Sequence, residues 1–285
     1  MDALDKSALR RAFDRAAPGY DRHAAVYRQV CERLLSRLDY IRCDPQTAVD
    51  VGAGTGQAAR LLLSRYPACN VIAADLSHGM LRNIARSRLR RRNPRPVQCD
   101  AAALPVPDAS VDLLVSASTF HLCHDYAQLF REIKRVLRPR GVLLFATFGP
   151  DTLRELRDAW AQVDDAVHVH EFADMHDLGD AMLGAALVDP VVDGEHLHVT
   201  YARPQGVMDD LKAAGSSNAS RRRARGLLGR RALQRLLSVY PRAADGSCVA
   251  TYEVVYGHAW GSQAGEHVVN VTFDSGEPGA RQRSL

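Results

Sequence analysis

The sequence lacks a long apolar segment, and its N-terminus is charged. No run of about eighteen apolar residues, the length that a helix needs to cross a bilayer, occurs in the 285 residues. Residues 1–11 carry acidic and basic side chains where a secretory signal would place an apolar stretch. We therefore expect a cytoplasmic protein that does not bind membranes.

The cysteines match no pattern that would bind a metal or form a disulfide framework. The six cysteines form no CxxC pair, so we predict reduced thiols that act as small apolar side chains. His168, His170 and His176 lie near acidic residues, but their spacing matches no zinc site. The sequence therefore predicts no metal site.

Arginine, by contrast, is concentrated in two short segments, although the net charge is only +4. One segment lies at residues 86–92 and the other at residues 221–231. Such clusters attract an acidic partner, but a charged run is equally often a solvated helix face. Both interpretations of the second cluster stay open at this point.

From residue 47 onward, short apolar segments alternate with amphipathic ones. Strands are predicted at residues 47–51, 71–75, 96–100, 111–116 and 142–147, with helices between them. Apolar strands that alternate with helices predict an α/β fold with a mostly parallel sheet covered on both faces.

Past Phe148 the alternation ends, and the chain divides into further segments. We predict helices near 151–163 and 174–185, a strand that ends near Val192, another strand near 196–200, and a mostly helical stretch at 204–240. The expected domains are an N-terminal helical cap (1–45), a core (46–203), a helical lid insertion (204–245), the last core strand (246–260) and a disordered tail (261–285).

A glycine-rich turn follows the first predicted strand. The segment Asp50-Val51-Gly52-Ala53-Gly54-Thr55-Gly56 lies where a buried strand ends and a helix begins, so the backbone can approach a ligand closely. Gln57 stands where the dinucleotide pattern GxGxxG requires glycine, whereas the acidic GxGxG form fits methyltransferases. We predict that Asp50, Gly52, Gly54 and Gly56 bind a nucleoside cofactor.

Polar residues follow the next strands at matching positions. Asp75, with Leu76 beside it, ends the second strand, where a carboxylate accepts hydrogen bonds from both ribose hydroxyls of a nucleoside. Asp100-Ala101 ends the third strand, and in methyltransferases that this chain resembles the acid there accepts from the adenine amino group. Ser116 ends the fourth strand and completes the predicted cofactor site for S-adenosylmethionine.

The resemblance extends beyond the cofactor segments. Many small-molecule methyltransferases share the style of residues 13–21, 49–56 and 135–141, whereas four later segments are more specific: 148–156, 174–180, 210–212 and 251–260. Over residues 8–260 the chain resembles the malonyl-acyl-carrier-protein O-methyltransferases of biotin synthesis. The fold expected from this resemblance is a Rossmann-like methyltransferase with a mostly parallel seven-stranded sheet, N-terminal helices and a helical lid insertion.

That resemblance also implies the reaction and the partner. Methyl transfer from S-adenosylmethionine to the free carboxylate of malonyl-acyl-carrier protein, or of malonyl-coenzyme A, would give the methyl ester that primes pimeloyl synthesis. The expected partner is the acyl-carrier protein, with no nucleic acid and no membrane. The chain departs from the family pattern after the fourth strand, where Ala117 and His121-Leu122 stand in place of an Asn and a Gln-Trp pair.

Few catalytic residues are expected for such a reaction. A carboxylate is already ionised at neutral pH, so the protein supplies alignment and exclusion of water instead of a base. Tyr20 and His121 are the two catalytic candidates, the first at the methionine end of the cofactor and the second near the substrate carboxylate, although a packing tyrosine and a structural histidine remain alternatives. An arginine is expected to clamp the carboxylate.

Two other classes of protein compete with this interpretation. The respiratory complex I assembly factors of this fold share a similar segment at Asp151–Leu156 and the Ser217-Asn218 element, and they modify a protein subunit. Nucleic-acid methyltransferases are disfavoured, because Ser116-Ala117-Ser118-Thr119 stands where amino-methylating enzymes carry an Asn-Pro-Pro-Tyr type of signature.

Overall fold

The computed structural model describes residues 4–86, 93–223, 226 and 229–263. Seven strands form one sheet in the order β3-β2-β1-β4-β5-β7-β6. The strands are β1 Thr47–Val51, β2 Asn70–Asp75, β3 Arg95–Gln98, β4 Val111–Ala117, β5 Leu137–Phe148, β6 Leu187–Tyr201 and β7 Cys248–Gly261. Strands β1 to β5 pair in parallel, whereas β7 is antiparallel to both of its neighbours. The predicted seven-stranded, mostly parallel α/β sheet is confirmed.

Ten α-helices are formed by the described residues. They are α1 Lys6–Ala16, α2 Tyr20–His23, α3 Ala25–Ser36, α4 Gln57–Arg65, α5 His78–Arg86, α6 Tyr126–Val136, α7 Arg154–Ala161, α8 Met175–Gly184, α9 Pro204–Ala213 and α10 Arg230–Val239. Short 3-10 turns lie at Arg37–Asp39 and Phe120–Leu122. None of these helices is long and apolar enough to cross a bilayer.

Helices with a single apolar stripe cover both faces of the sheet. In α6, the side chains of Leu129, Phe130, Ile133 and Val136 are fully buried, at the spacing of a single helix face. Helices α3 and α4 pack on one side of β4, and α6 and α8 pack on the other. This arrangement leaves the carboxyl ends of β1, β2 and β4 open at one edge of the sheet, where ligands bind in open α/β folds.

One prediction about the second half of the chain was wrong. The residues expected to form two strands, up to Val192 and at 196–200, form the single strand β6, because β7 pairs with it from Leu187 to Tyr201, with a register shift between Val188 and Val191. Residues 204–240 contain two helices of ten residues each, α9 and α10, and Gly215 follows α9 in a left-handed conformation (φ +75°). Of the predicted tail, residues 264–285 lie outside the described part of the chain.

The N-terminal segment packs against the loop that follows α9. Leu4 forms a β-bridge with Ser220, and the Asp5 amide donates to the Ala219 carbonyl over 2.9 Å. Leu4 and Leu9 form a small apolar cluster with Ala219. The start of the chain and the loop at 214–223 are therefore joined beside the open edge of the sheet.

Candidate active site

A cleft of about 920 Å³ lies at the carboxyl ends of β1, β2 and β4. The predicted site residues that line it are Tyr20, Gly52, Gly54, Asp75, Leu76, Asp100, Ala101 and His121. Elements far apart in the chain therefore bring most of the predicted site to one place.

The glycine turn forms one wall of the cleft, and two of its glycines, both with left-handed backbone, line the cleft. Gly52 has φ +73°, and a Cβ built on it would lie 1.8 Å from Oγ1 of Thr119. Gly54 has φ +54°, and no atom lies within 4 Å of the position of its Cβ. Backbone at these two positions can therefore approach a ligand in the cleft more closely than a turn with side chains would allow.

Asp75 fixes that turn from the neighbouring strand. Its Oδ2 accepts from the Gly54 amide over 2.8 Å, and its Oδ1 accepts from the Ser77 amide over 2.7 Å. Burial raises the pKa of this carboxyl, against the effect of the two amide donors. A carboxylate has about four acceptor positions, so two remain for a ligand.

Three of the predicted cofactor residues, Asp50, Gly56 and Ser116, do not line the cleft. Asp50 is buried and accepts from the Ala59 amide over 2.9 Å, and burial raises its pKa to about 7. The Ser116 hydroxyl donates to the Val51 carbonyl over 2.9 Å. Gly56 is the N-cap of α4, with φ +87°. These three residues support the glycine turn without lining the cleft.

Asp100 is paired with Lys6, a residue that no sequence pattern indicates as part of the site. Lys6 Nζ donates to Asp100 Oδ2, and the Ala102 amide donates to Oδ1 over 3.1 Å. Burial acts to raise the pKa of Asp100, but these two donors lower it overall. Lys6 begins α1, whose N-cap Asp5 accepts from the Ala8 amide, and Lys6 also lines the cleft.

A second cavity, of about 460 Å³, adjoins the cleft. The two share His121, Tyr27 and Ser216 in their walls, and the Tyr27 and Ser216 hydroxyls lie 2.5 Å apart. The rest of the second cavity is mainly apolar, with Phe148 and Phe172 among its lining residues. A molecule in this cavity would reach the cleft beside His121.

His121 is only 6% exposed and lies among rings. Its ring centroid is 4.8 Å from that of Phe148, 5.9 Å from that of Phe172 and 6.1 Å from that of His170. Burial, followed by the nearby His170, holds the pKa of His121 well below its usual value. The ring is therefore neutral at physiological pH, and it is a poor base.

The Tyr20 side chain lines the cleft at the start of α2. Its ring lies 6.2 Å from that of Tyr27, and burial raises the pKa of its hydroxyl. The next residue, Asp21, accepts from Thr55 Oγ1 in the glycine turn over 2.6 Å, so α2 is tied to the cofactor side of the cleft.

The predicted arginine clamp is not found among the described residues that line these two cavities. Ala117 and Leu122, the departures from the family pattern, both line the cleft. Asp151, His196 and Glu253 have metal-ligating atoms within 4.8 Å of one another, but none of the three lines either cavity. The absence of a resident metal stays a prediction.

The fold and the cleft define a methyltransferase, and comparison with known proteins agrees. The methyltransferase domain family matches residues 49–145. The YcgJ protein of Bacillus subtilis has this fold, with a TM-score of 0.59 at 17% identity over 82% of this chain and 99% of its own. Phosphoethanolamine N-methyltransferase 2 of Haemonchus contortus, solved with S-adenosylhomocysteine, superposes with a TM-score of 0.52 at 18% identity, over 81% of this chain and 53% of its own.

Sequence relatives give the particular family. The malonyl-[acyl-carrier protein] O-methyltransferase of Halorhodospira halophila is 49% identical over 91% of this chain and 89% of its own length. The protein of the same name from Laribacter hongkongensis is 47% identical over 90% of this chain and 89% of its own. The chain belongs to the malonyl-[acyl-carrier protein] O-methyltransferase family and is an S-adenosylmethionine-dependent enzyme. These relatives give no support to the assembly-factor alternative.

Proposed function

We propose that the protein transfers a methyl group from S-adenosylmethionine to the free carboxylate of malonyl-acyl-carrier protein or of malonyl-coenzyme A. The resulting methyl ester primes pimeloyl synthesis for biotin. The observation that carries this proposal is 49% identity to a malonyl-[acyl-carrier protein] O-methyltransferase over nine-tenths of the chain. The adjoining cavities, which meet at His121, support it with room for two reactants.

The residues around the cleft fit the proposed methyl donor. The backbone of Gly52 and Gly54 gives its amino-acid part a close approach, and Asp75 has two acceptor positions for the ribose hydroxyls. In this assignment Asp100 accepts from the adenine amino group, and Leu76 and Ala101 flank the nucleoside. Asp50, Gly56 and Ser116 support the turn without touching the ligand.

The protein itself contributes alignment of the two reactants and exclusion of water. S-adenosylmethionine supplies an electrophilic methyl group, and an ionised carboxylate accepts it without loss of a proton. Well-oriented reactants gain roughly 7–11 kcal/mol from proximity. We assign Tyr20 to the methionine end of the cleft and His121 to the carboxylate, with no general base.

The first prediction concerns the product. Incubation with methyl-labelled S-adenosylmethionine and malonyl-acyl-carrier protein should place the label in a methyl ester, which mild base releases as methanol. Methyl groups on nitrogen resist that treatment. The measurement is the fraction of label that becomes volatile after base, with acetyl-acyl-carrier protein, which has no free carboxylate, as the matched control.

Two results would contradict the assignment. Base-stable label would indicate an amine or amide acceptor, as expected of an enzyme that modifies a protein side chain. Equal labelling with the acetyl and malonyl carriers would show that the free carboxylate is not the acceptor.

We assign residues 204–245 to a lid, because Leu211, Ser216 and Asn218 line the second cavity. Arg221, Arg222 and Arg223 follow directly, the first two exposed and the third near Asp5, with 3.7 Å between their charged atoms. This basic segment beside the cavities is suited to dock the acidic carrier protein by long-range attraction.

The second prediction tests that docking. Activity on malonyl-acyl-carrier protein should fall with added salt more steeply than activity on malonyl-coenzyme A, because salt screens attraction between large charged surfaces. The triple variant Arg221→Ser, Arg222→Ser, Arg223→Ser should weaken the salt dependence. The matched control replaces three exposed arginines at the amino ends of β1, β3 and β5: Arg42, Arg95 and Arg140.

Initial rates over a salt series measure the effect. Equal salt slopes for the two substrates, or the same change of slope in both triple variants, would mean that the segment is an ordinary solvated surface.

A further inference from the structure

Two buried histidine nitrogens at the second cavity have no hydrogen-bond partner among the described residues. They are Nδ1 of His121 and Nε2 of His170, and both rings line that cavity. Buried polar atoms are nearly always paired, because an unpaired one loses its hydration without compensation. The two atoms therefore indicate a ligand that supplies hydrogen-bond acceptors or donors.

Both histidine rings at this cavity are uncharged, so any hydrogen bond that they donate comes from a neutral N–H group. Burial lowers the pKa of His170 to about 4, helped by the nearby positive charge of Arg157, and that of His121 lies well below its usual value. Arg157 does not line the cavity, since its Nη2 donates to the Thr152 carbonyl in the cavity wall over 3.0 Å. Both rings are neutral near pH 7, and each has one N–H to donate.

The other titratable side chains that line this cavity are His168, Tyr27 and Tyr252, and the Tyr252 ring packs against Phe148 with 5.6 Å between ring centroids. His168 lines it too, but its Nε2 pairs with Asp164 over 2.8 Å and its ring stacks on Trp160 at 3.5 Å. The Tyr27 hydroxyl is shared with Ser216. No carboxylate of the described residues lines the second cavity, so nothing there repels an anion.

We infer that His121 and His170 together form the recognition site for the carboxylate of the acyl group. His170 is thereby a specificity-determining residue that selects short acyl thioesters with a free terminal carboxylate. This inference rests on the proposed function, because it assumes that an acyl carboxylate enters the second cavity. It replaces the arginine clamp with two neutral N–H donors.

Such a site suits the reaction in two ways. Two neutral donors and a bidentate arginine each use two of the roughly four acceptor positions of a carboxylate, but the full positive charge of the arginine would reduce the nucleophilicity of the attacking oxygen more than neutral N–H groups do. The methyl ester product carries no charge and accepts hydrogen bonds less strongly. The same pair therefore holds the substrate more tightly than the product.

The test uses the different distances of the two ring nitrogens from the backbone, because Nδ1 of a histidine lies nearer to its own backbone than Nε2 does. Asn places an amide donor near the Nδ1 position of a histidine and Gln places one near Nε2. We therefore expect His121→Asn and His170→Gln to retain a malonyl-coenzyme A KM close to wild type. His121→Gln and His170→Asn should raise that KM by about tenfold to a hundredfold, the usual effect of a lost hydrogen bond to a charged group.

A binding readout separates recognition from damage to the fold. Inhibition by malonyl-coenzyme A methyl ester and affinity for S-adenosylhomocysteine should change less than twofold in all four variants. In His121→Gln and His170→Asn, therefore, only the preference for the charged ligand should be lost. His168→Gln is the matched control, because its ring lines the same cavity but is already paired, and its preference for the charged ligand should equal that of wild type.

Each outcome decides the inference. Equal KM values for the Asn and Gln variants at both positions would overturn the inference, and so would a parallel loss of affinity for the ester. The proposed function would still hold in either case if the wild-type protein transfers methyl groups to malonyl-coenzyme A. Failure of the proposed function is a different result, in which the wild-type protein methylates no malonyl thioester.

Discussion

Asp75→Ala is expected to abolish measurable binding of S-adenosylmethionine. The substitution removes the only carboxylate proposed to accept from the two ribose hydroxyls, and it also releases the Gly54 and Ser77 amides that order the turn. A hydrogen bond to a charged group contributes about 1.5–3 kcal/mol. Loss of two such bonds corresponds to roughly a hundredfold to ten-thousandfold weaker binding. Titration calorimetry with S-adenosylhomocysteine measures the loss.

Asp75→Asn is the graded control for this effect. Its amide oxygen still accepts one hydrogen bond but carries no charge, so we expect an affinity between those of wild type and Asp75→Ala. Both variants should unfold cooperatively on heating, because the carboxylate acts on a loop and the sheet beneath keeps its buried core. Wild-type affinity in Asp75→Ala would show that the cofactor lies elsewhere.

The part of the fold that the sequence predicts well is the part that short-range patterns determine. Between residues 47 and 147, each buried strand is an apolar run and each covering helix has a single apolar stripe, as in α6. The glycine turn is local in the same sense, since Gly52 and Gly54 need left-handed backbone that other residues rarely adopt. The strand and helix order and the cofactor edge follow from such patterns.

Other features depend on partners far away in the chain, and the sequence does not reveal them. Lys6 meets Asp100 across 94 positions, and no local pattern marks either residue as half of a pair. Strand β6 carries polar residues along its length, so no apolar run marks it as one strand. It forms a single strand because it pairs with β7. His170 lies in an irregular segment, and only tertiary packing brings it within 6.1 Å of His121.

The arginine clamp was predicted from general chemistry, and the described lining residues do not provide it. Guanidinium groups are the usual partners of carboxylates, so the expectation was reasonable from composition alone. Arg157 instead lies behind the wall of the second cavity and acts on His170 through its charge. Which charged residue reaches a cavity depends on packing, and sequence spacing does not contain that information.

Gly52→Ala is expected to reduce both stability and activity by large amounts. The new Cβ would lie 1.8 Å from Oγ1 and 2.5 Å from Cβ of Thr119, so the whole Thr119 side chain must move. Overpacking costs about 1–3 kcal/mol, and left-handed backbone adds about 1–2 kcal/mol for a residue with a Cβ. Because Thr119 directly precedes the turn that carries His121, a displacement near 1 Å would lower the rate by about a hundredfold.

Two further variants separate the clash from its consequences. Thr119→Gly in the Gly52→Ala background removes the colliding side chain, so unfolding temperature and rate should recover in part, while the backbone strain persists. Gly54→Ala places its Cβ where no protein atom lies within 4 Å, so it should carry only the left-handed backbone cost of about 1–2 kcal/mol, lose less stability than Gly52→Ala, and bind S-adenosylhomocysteine more weakly. Thermal unfolding and calorimetry are measured for wild type, Gly52→Ala, the double variant with Thr119→Gly, and Gly54→Ala. If Thr119→Gly fails to improve Gly52→Ala, the close packing of these two residues is not what requires glycine at position 52.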